Sequence, residues 1–193
     1  MFNRYWDATR DEFSDRTNVA FLDEYLPYIS KHCNNIVDLG CGTGRLVKRL
    51  NDEGLNCLGI TYNQDEVSSR LHEKVHHGDM QDLYIDSGTK DGFIMWDSLE
   101  HCQSAYVALC EAKRILKDFG RGLIFMPGQN WLDCKYHICC YTVPQMIQLL
   151  KQAGLKCVTC YIKAYANEPS KYCEGMAVYE VENLPGYKGE FKL

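Results

Sequence analysis

Long apolar runs are missing from this chain of 193 residues, and no uncharged stretch approaches the roughly 18 apolar residues that a membrane-crossing helix needs. Its first residues, MFNRYWDATRDEF, are too polar for a secretory signal, so a cytoplasmic protein is expected. A basic excess is missing too. Lys and Arg number 21 against 26 Asp and Glu, a formal charge of -5, and no general field draws in a polyanion such as nucleic acid. No internal repeat, low-complexity tract or Pro- and Ser-rich linker interrupts a sequence with 5 prolines. One unit over residues 1–193 follows, with 1–34 as a helical cap on a core from 35 onward. Hydrophobic residues make up 46% of the chain, enough to bury a full core and to exclude a disordered or fibrous chain.

Cysteine is plentiful, at 11 residues, but the number is odd and several lie inside apolar runs, where a thiol packs as a small hydrophobe. Reduced thiols are expected. Cys157 and Cys160 form a C-x-x-C inside the strand-like KCVTCYI, whose alternation would send the two side chains to opposite faces and argues against zinc or redox use. Cys134, His137, Cys139 and Cys140 cluster more tightly but lack a spaced second pair, so loop and core cysteines are the expectation.

The rhythm of the chain is alternating strand and helix. Apolar runs predict strands at Asn35–Leu39, Asn56–Thr61, Lys74–His77, Gly92–Trp96, Gly122–Met126, Leu155–Ile162 and Met176–Val181. Helical patterns fall at Gly44–Asn51, Gln64–His72, Ser104–Leu116 and Val143–Gln152, with Gly54, Gly120 and Gly154 at expected C-caps and Pro144 in a first turn. Strands separated by helices imply an α/β fold with a doubly wound, seven-stranded, mostly parallel sheet. The last two strands have no helix between them and should pair antiparallel at an edge. Phe21, Leu22, Tyr25, Leu26 and Ile29 mark a common helical face ahead of the first strand.

Chemistry concentrates in Val37-Asp38-Leu39-Gly40-Cys41-Gly42-Thr43-Gly44, where the first strand hands over to the first helix. Glycine permits positive φ and removes the side chain that would block a ligand from the helix N-terminus. Dinucleotide sites use G-x-G-x-x-G, whereas Gly44 follows Gly42 by two positions, so a nicotinamide or flavin dehydrogenase is disfavoured.

This segment resembles the first motif, [DE]-x-G-x-G-x-G, of the class I S-adenosylmethionine-dependent methyltransferases, in their small, type-11-like group. His77-Gly78-Asp79-Met80-Gln81-Asp82-Leu83 is similar to that family's G-D-x-x-x-L, and Asp97-Ser98-Leu99-Glu100-His101 to its strand-four end with L-E-H. Glu111 to Lys117 with Gly120-Arg121-Gly122 resembles its E-x-x-R-v-L-k-p-G-G helix and turn. The resemblance implies a Rossmann-like sheet and S-adenosylmethionine as cofactor. It assigns the cofactor to Asp38, Gly40, Cys41, Gly42, Gly44, Thr61, Tyr62, Glu66, Asp79, Met80 and Asp97. Asp38 would order the methionine ammonium, Asp79 would accept from the adenine amine and the Met80 backbone would meet the ring. Thr61 stands where the family usually ends strand two with a ribose-binding acid. Thr61, Tyr62, Asn63 and Glu66 are similar to the G-[IV]-T-L-S-x-x-Q frame of cyclopropane fatty acid synthases, and Glu66 would supply the ribose contact instead.

Methyl transfer is an in-line displacement, so a protein chiefly aligns the acceptor, excludes water and takes a proton. Asp97 and His101 are the catalytic candidates. On one helical face Asp97, Glu100 and His101, with His137, would hold a divalent metal, as similar E-x-x-E-H segments do in ubiquinone-biosynthesis and small-RNA methyltransferases. The favoured reading has no metal there, with Glu100 capping or orienting the turn. Neither [DNS]-P-P-[FYW] nor a Pro-Cys nucleophile is present, which turns the reading from nucleobases to a small-molecule acceptor. Tyr5, Trp6, Trp131 and His137 are the acceptor-pocket candidates, with Asp7, Arg10, Tyr136 and the loop Gln129–Tyr141 as covers. His32, His72, His76 and His77 read as packing or solvated residues. Two functions stand at this point: a methyltransferase acting on oxygen or nitrogen of a small molecule, and a non-catalytic protein of the same fold that binds the cofactor or regulates a partner.

Overall fold

In the computed structural model, residues 24–127, 136–163 and 176–187 are described. The strands are β1 (Asn35–Leu39), β2 (Asn56–Thr61), β3 (Val75–His77), β4 (Lys90–Trp96), β5 (Leu116–Pro127), β6 (Lys156–Lys163) and β7 (Met176–Glu182). The helices are α1 (covering residues 24–30), α2 (Arg45–Asp52), α3 (Gln64–Ser68), α4 (Ala105–Ile115) and α5 (Val143–Gln152), with a 3-10 turn at Leu99–His101.

All seven strands form one sheet in the order β3-β2-β1-β4-β5-β7-β6. The pairs from β3 to β5 are parallel, while β7 runs antiparallel to both β5 and β6 and leaves β6 at the edge. β1 is buried on both faces because helices cover both, which is why it reads as the continuous apolar run Ile36 to Leu39 broken by Asp38 alone. Tyr25, Leu26 and Ile29 of α1 pack with Val47 and Leu50 of α2 on Ile36, Ile94 and Phe125. The other face carries α4, whose Ala105, Ala108, Leu109, Ala112 and Ile115 form a stripe at helical spacing against Val37, Phe93 and Ile124. Pro144 lies in the first turn of α5 behind a capping box between Thr142 and Gln145.

The chain winds outward through β1, β2 and β3, then crosses back so that β4 pairs with the opposite side of β1. That reversal opens a crevice at the C-terminal ends of β1 and β4, the position where open α/β sheets bind ligands.

Three local expectations are corrected. The third helix stops at Ser68 rather than His72, because the chain leaves it to tie Leu71 N–H to the Thr43 carbonyl at 2.9 Å. Gly120 is no helix cap. Helix α4 ends at Ile115, Phe119 takes the left-handed turn (φ 63°), and Gly120 follows inside β5. Cys157 and Cys160 do not face opposite ways: a bulge between Cys157 and Thr159 shifts the register by one, and both pack on the α4-side core. Burial holds the Cys157 thiol up at about 11, so it is an inert core thiol.

No helix joins β3 to β4. Its place is taken by residues 78–89, clamped onto α4 by one ion pair. The Arg114 guanidinium donates to both Glu111 carboxylate oxygens (2.7 and 2.8 Å) and to the carbonyls of Leu83 (2.9 Å) and Ile85 (2.8 Å). Glu111 in turn accepts from the Leu83 N–H at 2.9 Å. The E-x-x-R pair is therefore a brace for the segment that carries Asp79.

Candidate functional site

β1 delivers Asp38 to the crevice. Its side chain is 2% exposed and has no hydrogen bond or ion pair among the described residues. Burial alone pushes its carboxyl up to about 7.

After Leu39 the chain turns through Gly40, Gly42 and Gly44, with φ of 85°, 55° and 86°. At Gly40 packing forbids a side chain, since a Cβ there would lie 2.3 Å from Ser98 Cβ. At Gly42 the surroundings are open, and the nearest atom to an added Cβ is Glu66 Oε1 at 3.8 Å. Gly42 thus presents bare backbone toward the Glu66 carboxylate, with room between them for about one added Cβ at ordinary contact distance. The N–H groups of Gly40 and Cys41 both donate to the Ile60 carbonyl (2.8 and 3.0 Å), fixing the loop against β2. The Cys41 sulfur packs beside Gly59, and burial raises its thiol pKa, so its side chain is structural.

At the end of β2, Thr61 replaces the acid expected there, and the structure brings one back. The Thr61 hydroxyl donates to Glu66 Oε2 at 2.5 Å. Asn63 caps α3 by accepting from the Asp65 N–H at 3.0 Å, which sets Glu66 in the first turn, pointing back at the strand. Tyr62 is 74% exposed, with its ring 5.9 Å from that of His77.

Beyond β3, Asp79 accepts from the backbone N–H of Gln81 (2.8 Å) and from its side-chain amide (3.2 Å). The Gln81 side-chain oxygen Oε1 accepts from the Ser104 N–H at 2.7 Å, tying this corner to the start of α4. The Met80 methyl reaches Gly40, lying 3.3 Å from where a Cβ would be. At the same corner a concavity of about 210 Å³ is lined by Leu58, Ile60, His76, Asp79, Leu83 and Tyr84.

At the end of β4, Asp97 takes a left-handed conformation (φ 44°), and the turn that follows is a 3-10 turn beginning at Leu99. Asp97 therefore shares no helical face with Glu100 and His101. Glu100 is fully buried. His101 places Nδ1 2.9 Å from the Tyr136 carbonyl and Nε2 3.7 Å from Glu100 Oε1. The His137 ring meets that of His101 edge-on, with centroids 5.0 Å apart. Of the four metal candidates, Glu100, His101 and His137 come together with ligand atoms within 4.8 Å of one another, and Asp97 lies outside that group. Tyr5, Trp6, Asp7, Arg10 and Trp131 lie outside the described residues.

Three site residues passed unnoticed in the sequence pattern. Ser98, buried, donates to the Leu39 carbonyl at 2.7 Å and locks the β4 end to the β1 end. Gln81 bridges Asp79 to α4. Trp96 stacks on Phe125 at 4.0 Å, and Phe125 meets Tyr25 of α1 edge-on at 5.7 Å. An aromatic ending a strand just before Asp97 was the available signal for Trp96; Ser98 and Gln81 have none, since their partners are distant in sequence.

Residues 37–124 match a family described as a methyltransferase domain. No curated protein matches the chain by sequence. Among solved structures, a SAM-dependent methyltransferase from Archaeoglobus fulgidus superposes with a TM-score of 0.73 at 16% identity, covering 91% of this chain and 95% of that one. A chain from the complex between the Haloferax volcanii Trm112 methyltransferase activator and a methyltransferase gives 0.68 at 15% identity, covering 91% and 96%. The [4+2]-cyclase SpnF gives 0.70 at 16% identity, covering 86% and 81%. Strand order and superposition agree: the chain has the Rossmann-like fold of these SAM-dependent methyltransferase structures, and its residues 37–124 are similar to a methyltransferase domain.

Proposed function

We propose that this protein is an S-adenosylmethionine-dependent methyltransferase that acts on oxygen or nitrogen of a small-molecule acceptor in the cytoplasm. The observation that carries the reading is the buried Asp38 side chain, without a hydrogen bond or ion pair among the described residues, beneath a glycine turn whose Gly42 faces Glu66. A buried carboxylate at this point suits a cationic group, and the cofactor's methionine part has one in its ammonium. Gly42 allows that part to lie against the backbone. Glu66, braced by Thr61, accepts from the ribose hydroxyls, and Asp79 accepts from the adenine amine beside Met80. The bound cofactor supplies a methyl group on a positively charged sulfur. The chain's own work is then alignment, exclusion of water and removal of the acceptor's proton, for which Asp97 and His101 stand at the open end of β4. Among the described residues no helix is long and apolar enough to cross a membrane. The net charge of -5 supports a small acceptor over a nucleic acid.

The test is calorimetric titration with S-adenosylmethionine and S-adenosylhomocysteine. This is followed by incubation with a metabolite extract and mass detection of S-adenosylhomocysteine and a methylated product. The native protein binds and turns over. Gly42→Val, which fills the gap facing Glu66, abolishes binding, and Glu66→Ala weakens it several-fold. Unchanged affinity in Gly42→Val removes the cradle. Binding without turnover moves the protein to the second reading, a non-methylating member of a fold that also includes a cyclase.

A further inference from the structure

We propose that Glu100, His101 and His137 form a binding site for one divalent transition-metal ion at the open end of β4.

Two short segments build the site, and backbone bonds hold them in register. The N–H groups of Ile138 and Cys139 both donate to the Glu100 carbonyl, at 2.8 and 3.2 Å. The Cys139 thiol donates to the carbonyls of Leu99 and Glu100, at 3.7 and 3.9 Å. His137 is therefore carried next to His101 by main-chain geometry, across 36 positions of sequence, without relying on a side-chain contact between them.

The hydrogen bonding of His101 decides what its other nitrogen offers. A carbonyl oxygen only accepts, so the Nδ1 that faces the Tyr136 carbonyl carries the proton. In the neutral ring Nε2 then has a lone pair, and it lies 3.7 Å from Glu100 Oε1, too far for a hydrogen bond and near enough for both atoms to reach one cation. An imidazole that donates one nitrogen to a backbone carbonyl and offers the other is the common arrangement of a metal-bound histidine. Glu100 adds a buried carboxylate oxygen to the same cluster. His137 brings the third ligand atom, all three within 4.8 Å of one another. Two imidazoles and one carboxylate suit zinc, iron, cobalt or nickel better than magnesium or calcium, which favour oxygen.

Three protein ligands leave coordination positions open. Under the methyltransferase reading, on which this last step rests, an acceptor hydroxyl would coordinate there and lose its proton more readily. His101 then serves the metal, and Asp97, outside the cluster, is left as the group that takes the proton.

The decisive experiment needs neither cofactor nor acceptor. Protein stripped with a chelator is titrated with Co²⁺ and Zn²⁺, following cobalt absorption, stoichiometry by equilibrium dialysis and the melting temperature. The expected result is one ion per chain and a higher melting temperature with metal. Affinity falls at least about tenfold in Glu100→Gln, His101→Ala and His137→Ala, and His76→Ala behaves as the native protein. Should the buried Glu100→Gln fail to fold, His137→Ala and His137→Gln decide the matter. No stoichiometric binding to the native protein, or equal binding in the His137 variants, overturns the site. S-adenosylmethionine titration of the metal-free protein runs in parallel, so loss of the metal site and loss of the cofactor site are read separately.

Discussion

Asp38 is the residue at which fold and function pull against each other. Its carboxyl ionises near 3.8 in the unfolded chain but holds its proton to about 7 in the folded one. The folded state therefore binds more protons across that interval, and stability falls as pH rises from about 4 to about 7, then levels off. The difference of about three pH units corresponds to about 4 kcal/mol, a large share of what holds a domain of this size together. Asp38→Asn removes that slope. By urea unfolding the variant is more stable than the native protein at pH 8, by up to about 4 kcal/mol, and equal or weaker near pH 4. Cofactor affinity moves the other way. In the native protein it rises with pH through about 7 as the carboxylate ionises beside the ammonium, whereas in Asp38→Asn it is weak and flat across the same range. Parallel pH profiles of affinity in the two proteins would remove Asp38 from the ammonium site.

Among the elements, the helix-less connection from β3 to β4 depends most on a single pair of side chains. Arg114 gives Glu111, Leu83 and Ile85 four bonds of 2.7 to 2.9 Å, several of them charge-assisted. Its side chain is about one third exposed, which limits the electrostatic part. Arg114→Met, which keeps the length of the side chain, is expected to cost about 1–2 kcal/mol in equilibrium unfolding. It also weakens S-adenosylmethionine binding, because Asp79 rides on the freed segment. A stability change within a few tenths of a kcal/mol, with cofactor affinity intact, would show that the segment holds itself. The glycine turn shows the same division of labour within one loop. Gly40 is needed by Ser98 for packing, whereas an added Cβ at Gly42 would meet nothing nearer than Glu66 Oε1 at 3.8 Å.

At the level of the whole molecule, the crevice exists because β4 returns to the far side of β1, so the site groups hang from the ends of four strands, β1 to β4. Ligand and fold are then coupled. Cofactor at about a hundredfold excess over its dissociation constant adds about 2.7 kcal/mol, which raises the melting temperature by about 5–10 °C in a domain of this length. A scan with no shift would mean that the crevice takes no cofactor. The strands β1 and β2 and the helix α5 were legible to the residue, because their apolar periodicity and caps are local properties of the chain. The glycine turn was legible as well, since positive φ restricts residue type wherever it occurs. The end of α4, the bulge that turns Cys157 and Cys160 to one face, and the ties of Ser98 to Leu39 were not. Each is settled by a partner that sequence spacing does not reveal. The amino-acid sequence by itself determined the alternation of strands and helices and the glycine-rich turn after β1, because period and backbone freedom are written residue by residue. Tertiary structure alone decided that Glu66 stands in for an acid at the end of β2, that the Asp38 side chain is buried without a hydrogen bond or ion pair among the described residues, and that His137 meets Glu100 and His101. Those are meetings of distant segments, set by how the sheet closes its hydrogen bonds and buries its two faces.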